Sequence, residues 1–207
     1  MENAAAQLIM NSMARTCDVT SPDSLSKSAD VIQGGGVLVY PTDTLYGFGV
    51  DARDDDALQR LSHIKGKGGP WSVAVSDLEM LQCYATLRGT QRDFATSHLP
   101  GKVTLILPSV LTDIATPVLG PDQTVGVRIP DHLFVIELVR RLDFPITSTS
   151  VNRTGEEPLN DPHAIAELFG AEVDLIIDAG ILPPSAGSRI YDLTGETIET
   201  VRDSDDA

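Results

Sequence analysis

Between residues 24 and 201, short runs of β-formers alternate with amphipathic helical segments, and that alternation restricts the chain to α/β architectures. Strand signals fall at Val37–Tyr40, Ser72–Val75, Val103–Leu107, Thr124–Ile129, Pro145–Thr149, Leu175–Asp178, Arg189–Leu193 and Thr197–Val201. Helices fit Ser24–Gln33, Asp77–Tyr84, Gln91–His98, Leu133–Leu142 and Pro162–Phe169. A further helix opens on Asp54-Asp55-Asp56, where acids suit the helix dipole, and repeats apolar residues at Leu58, Leu61 and Ile64. Asp161 and Pro162 have the residue types of an N-cap and a first helical position, and Gly34-Gly35-Gly36 stops the first helix. The Thr194-Gly195 turn between the last two strands predicts an antiparallel edge, so the sheet is expected to be substantially mixed.

A length of 207 residues suits one such domain, expected over residues 23–203, with residues 1–22 read as a flexible leader. The N-terminus lacks the basic-then-apolar layout of a signal peptide, and no apolar run approaches the ~20 residues that span a bilayer. Cys17 and Cys83 stand alone, which suits free thiols in a reducing compartment. A cytoplasmic location without membrane attachment is the expectation. The net charge of −15 disfavours nucleic-acid wrapping, because phosphate contacts need Lys and Arg; a local basic pocket is still compatible with it.

Four polar clusters interrupt this pattern. In VLVYPTDTLYGFGVDA, residues 37–52, a core strand stops in two threonines, an acid and two glycines. A plain hairpin requires less chemistry, so this stretch marks a pocket. In KGKGG, residues 65–69, glycines let backbone N–H groups converge on an anion while two lysines add charge. The ordinary alternative there is a solvated helix C-terminus. ITSTSVNRTG, residues 146–155, ends a strand in hydroxyls suited to a phosphate or carboxylate, or simply forms a Ser/Thr-rich turn. In VGVRIPDH, Arg128 lies on an apolar strand; it faces water, or it points inward and needs an anion. Neither a phosphate-binding GxxxxGK[ST] loop nor a GxSxG elbow occurs, and the four histidines lack metal-ligand spacing.

Taken in order, YPTDTLYG, LSHIKGK, LPGKVTLIL, VGVRIPDH, STSVNRTG and SRIYDLTG resemble the YrdC-type L-threonylcarbamoyladenylate synthases, over about Ser24 to Arg202. The resemblance implies a YrdC-like fold, a twisted mixed sheet around a concave cavity with helices outside. It implies condensation of L-threonine, bicarbonate or CO2, and ATP to threonylcarbamoyl-AMP and pyrophosphate, feeding the N6-threonylcarbamoyladenosine modification of tRNA. Its implied partner is a downstream threonylcarbamoyl transferase complex. By the same resemblance Lys65 and Lys67 are the catalytic pair and bind ATP, together with Thr124, Ser150, Asn152 and Arg202. Thr42, Thr44, Tyr46, Arg128, Ser148 and Ser188 would receive L-threonine, with Gly47 and Gly49 letting the backbone approach it. Mg²⁺ is expected on the ATP phosphates, with no protein metal site and no organic cofactor.

The chain departs from the family pattern at Lys67, where Arg is usual, at a shortened Gly68–Trp71 loop, and at Arg189, where Thr is common. The end soon after Arg202 fits the single-domain type. The rival readings are a non-catalytic nucleotide- or RNA-binding paralogue and a carbamoyl-adenylating relative.

Overall fold

The computed structural model describes residues 14–110 and 113–204. Its strands are β1 (Arg15–Asp18), β2 (Leu38–Pro41), β3 (Tyr46–Gly49), β4 (Val73–Ala74), β5 (Val103–Pro108) and β6 (Thr124–Arg128). They continue with β7 (Ile146–Thr147), β8 (Thr149–Ser150), β9 (Leu175–Asp178), β10 (Arg189–Asp192) and β11 (Glu199–Arg202). The helices are α1 (Ser24–Gln33), α2 (Asp55–Lys65), α3 (Leu78–Tyr84), α4 (Thr90–His98), α5 (Leu133–Leu142) and α6 (Pro162–Phe169).

The strands form two mixed sheets rather than one, in the orders β1-β9-β2-β3-β8 and β11-β10-β5-β6-β4-β7. Only Ser148 separates β7 from β8, so the chain crosses from one sheet to the other at that residue. The Ser148 N–H donates to the Ser72 carbonyl at 2.7 Å, and the Thr147 N–H to Val50 at 2.9 Å, which ties the two sheets along a seam. The expected antiparallel closing pair is present as β10 and β11.

Strand β2 is buried along its whole length, which its run of apolar residues demands. Val37 and Val39 join one core cluster, whereas Leu38 and Tyr40 join another. That period of two places the strand between two apolar layers. The first layer holds Leu58, Leu61 and Ile64 of α2 with Ile165 and Phe169 of α6. The second holds Ile32 of α1 and Phe134, Val135, Leu138 and Leu142 of α5. Phe48 and Phe169 meet edge to face with centroids 5.2 Å apart.

Local signals explain the helix ends. The Asp54 carboxylate accepts the Asp56 and Ala57 N–H groups, and Gly66 closes α2 in the left-handed region at φ 73°. Asp161 caps α6 by accepting the His163 N–H. Asp23 precedes α1 without capping it, because its carboxylate is taken by Ser21 and Lys27. The leader expected through residue 22 is interrupted by β1, an edge strand paired in parallel with β9. Its sequence is polar and buries only Cys17, so no apolar alternation marks it. Residues 1–13 of that expected leader lie outside the described residues. No helix among the described residues is long and apolar enough to cross a membrane.

Candidate active site

The opening between β2 and β3 is a hairpin loop over residues 42–45, with Pro41 opposite Tyr46. Thr42 organises it: its hydroxyl donates to the Leu45 carbonyl at 2.7 Å and accepts the Thr44 and Leu45 N–H groups. Its oxygen also lies 3.1 Å from that of Thr44. Asp43 reaches across to β6, where its carboxylate accepts from Arg128 Nη2 at 2.5 Å, with the two side chains 6% and 7% exposed. The second carboxylate oxygen takes the Asp131 backbone N–H at 3.0 Å, and Arg128 Nη1 donates to Thr44 at 3.4 Å. Arg128 therefore points inward, as its apolar strand permits, and its anion comes from this chain; Nε is buried without a partner.

Tyr46 lines the same space, but its hydroxyl is committed elsewhere. It donates to the Gly180 carbonyl at 2.8 Å and accepts the Ala179 N–H at 2.9 Å, fastening the loop after β9. Burial pushes its phenol up to about 12. Gly47 faces the cavity, whereas Gly49 answers to packing. A Cβ at residue 49 would stand 2.8 Å from the Tyr40 ring, so the expected close approach to a ligand does not explain that glycine.

At the other end, α2 delivers Lys65 in its final turn. The ammonium donates to the Ser150 carbonyl and to Asn152 Oδ1, each at 2.7 Å, and Ser150 donates to the same amide oxygen. Burial first, and the positive charge of Lys67 second, lower Lys65 to about 8. Lys67 is exposed at the rim. The short loop that follows is held from outside: the Trp71 N–H donates to the Val118 carbonyl, and a Cβ on Gly69 would fall 1.9 Å from the Pro117 carbonyl oxygen.

The third wall comes from the sheet containing β5, β10 and β11. Thr104 and Ser188 share a buried hydroxyl–hydroxyl hydrogen bond of 2.7 Å. Arg202 Nε and Nη2 both donate to the Ser188 carbonyl, at 3.0 and 2.5 Å, so Arg202 also positions Ser188.

These walls enclose a cavity of about 330 Å³, within the range of small-ligand sites. Every site residue expected from the sequence lines it except Thr124. That threonine begins β6 four residues before Arg128, roughly 13 Å along an extended strand. Its hydroxyl donates to the Pro121 carbonyl at 2.9 Å, so it closes a turn. Sequence reasoning assigned no role to Asp43, Thr104, Ser72 or Trp71. The acid in PTDT was visible as an oddity, but its partner lies 85 positions away. Among the described residues no Asp or Glu lines the cavity, while Lys65, Lys67, Arg128 and Arg202 do.

The Sua5_yciO_yrdC family model, described as telomere recombination, matches residues 30–204. The chain belongs to the Sua5/YciO/YrdC family. A Mycobacterium tuberculosis relative provisionally named threonylcarbamoyl-AMP synthase is 31% identical over 204 residues, covering 92% of this chain and 90% of that protein. Among solved structures, E. coli YciO superposes with a TM-score of 0.83 at 27% identity, covering 93% of this chain and 95% of the other. P. abyssi Sua5 complexed with L-threonine gives a TM-score of 0.82 at 26% identity over 93% of this chain. This chain spans 57% of that archaeal protein's length.

Proposed function

We propose that this Sua5/YciO/YrdC protein is an L-threonylcarbamoyladenylate synthase, joining L-threonine, bicarbonate and ATP into threonylcarbamoyl-AMP and pyrophosphate for the tRNA N6-threonylcarbamoyladenosine modification. The observation that carries this reading is one cavity with two chemically different ends. Lys65 and Lys67 form a cationic end next to Ser150 and Asn152, suited to a polyphosphate. Arg128, Thr44, Ser148 and Ser188 form an end of hydroxyls around one guanidinium, with that of Arg202 behind Ser188, suited to a small hydroxylated amino acid. The named mycobacterial relative and the threonine complex of the archaeal relative support the same assignment.

In this reading the threonine amine attacks the carbon of bicarbonate, water leaves, and N-carboxy-threonine forms. A new carboxylate oxygen then attacks the α-phosphorus in line as the bond to pyrophosphate breaks, and the electron pair departs with pyrophosphate. Such a step asks chiefly for alignment and fixed positive charge. Ser150 and Asn152 hold two of the three Lys65 ammonium hydrogens, and the third would donate to a ligand oxygen in the cavity that Lys65 lines. Mg²⁺ would ride on the ATP phosphates and neutralise their charge. A downstream threonylcarbamoyl transferase would take the mixed anhydride, and in this reading the two would share the compartment that holds tRNA.

The test is mass detection of threonylcarbamoyl-AMP after incubation with ATP, L-threonine and labelled bicarbonate. Label in the adenylate is the expected result; consumption of ATP without a threonine-containing adenylate would contradict the assignment.

A further inference from the structure

The cavity must sort two ligands that both carry anionic groups. Four cationic side chains line it, and among the described residues no carboxylate does, so net charge alone would let phosphate occupy either end. The two ends nevertheless differ in what stands behind the cation. Lys65 is held by neutral oxygens, the Ser150 carbonyl and the Asn152 amide, and the other charge affecting it is the like charge of Lys67. Arg128 instead has a buried carboxylate 2.5 Å from Nη2, and that carboxylate is itself pinned by the Asp131 backbone N–H.

We propose that Asp43 is a specificity-determining residue that sorts the substrates by charge; this rests on the synthase reading above. Paired with Asp43, Arg128 presents directed N–H groups with its own charge cancelled, which leaves Arg202, held on the Ser188 carbonyl, as the one uncompensated cation beside that end against two at the lysine end. That end then suits a zwitterion of zero net charge, such as a free amino acid, and is a poor site for a multiply charged phosphate. The lysine end keeps its charge uncompensated and attracts polyphosphate. Discrimination therefore comes from a repulsive element placed behind the binding group as much as from the attractive one. Asp43 contacts no solvent-filled part of the cavity, so it acts through Arg128.

Calorimetry with inorganic pyrophosphate and L-threonine tests this on the full-length protein. Wild type should bind one equivalent of pyrophosphate with L-threonine affinity unchanged by it. Folded Asp43→Asn should bind a second pyrophosphate in competition with L-threonine and lose L-threonine affinity by about ten-fold or more. Competition between the two ligands in wild type would overturn the proposal, and that arm stands whether or not Asp43→Asn folds. A folded Asp43→Asn protein with wild-type stoichiometry and affinities would overturn it as well. Wild type that binds pyrophosphate but no L-threonine would contradict the synthase reading, and the pyrophosphate stoichiometries of the two proteins would still decide the role of Asp43.

Discussion

Lys65 concentrates the residue-scale chemistry. Its side chain is buried among neutral acceptors, and its ammonium is held at about 8, below its ordinary range. The sign of the resulting pH dependence follows directly. Below that value the folded protein holds the proton, and above it the folded protein sheds a proton that the unfolded chain keeps. Stability therefore rises with pH between about 8 and the ordinary lysine range. Phosphate binding needs the charged form and runs the opposite way. ATP affinity, read from the fluorescence of Trp71 in the cavity wall, should fall as pH rises through that window. A flat profile would remove Lys65 from the phosphate site. Lys65→Ala should lower kcat/KM by at least about 100-fold while leaving the circular dichroism spectrum unchanged. Kinetics within a few-fold of wild type in a folded variant would contradict the role.

The elements show why some of this was readable and some was not. The α2 helix announced itself through Asp54, its apolar repeat and its terminal glycine, and each signal acts within a few residues. Strand β3 was hidden because Gly47 and Gly49 disfavour a strand reading, yet the Tyr40 ring on the neighbouring strand leaves no room for a side chain at residue 49. The Arg128–Asp43 pair was equally hidden, since only the crossing of two sheets brings β6 to the β2–β3 loop. Nearly all the side chains that the resemblance pointed to line the cavity, but Thr124 does not, because the strand carries that residue away. The Gly68–Trp71 loop obeys the same tertiary logic: it packs against the backbone of residues 117 and 118. Gly69→Ala, which sets a methyl against the Pro117 carbonyl, should displace the loop and raise the KM for ATP about ten-fold more than that for L-threonine. Equal changes in both constants would show that the loop does not serve the phosphate end in particular.

At the scale of the molecule, a chain of net charge −15 gathers four cationic side chains around one cavity at the seam of two sheets. The exterior is thus set against polyanions that cannot enter the cavity, and the interior is set for one small enough to do so. Unmodified tRNA should show no retention by the protein in a filter assay at ~0.1 M salt; salt-sensitive retention would contradict this. The decisive quantity is pyrophosphate release from ATP by the purified protein, with L-threonine and bicarbonate supplied together, singly or not at all. Release only when both are present is the predicted result. Release from ATP alone, or with either one missing, would contradict a synthase that joins all three.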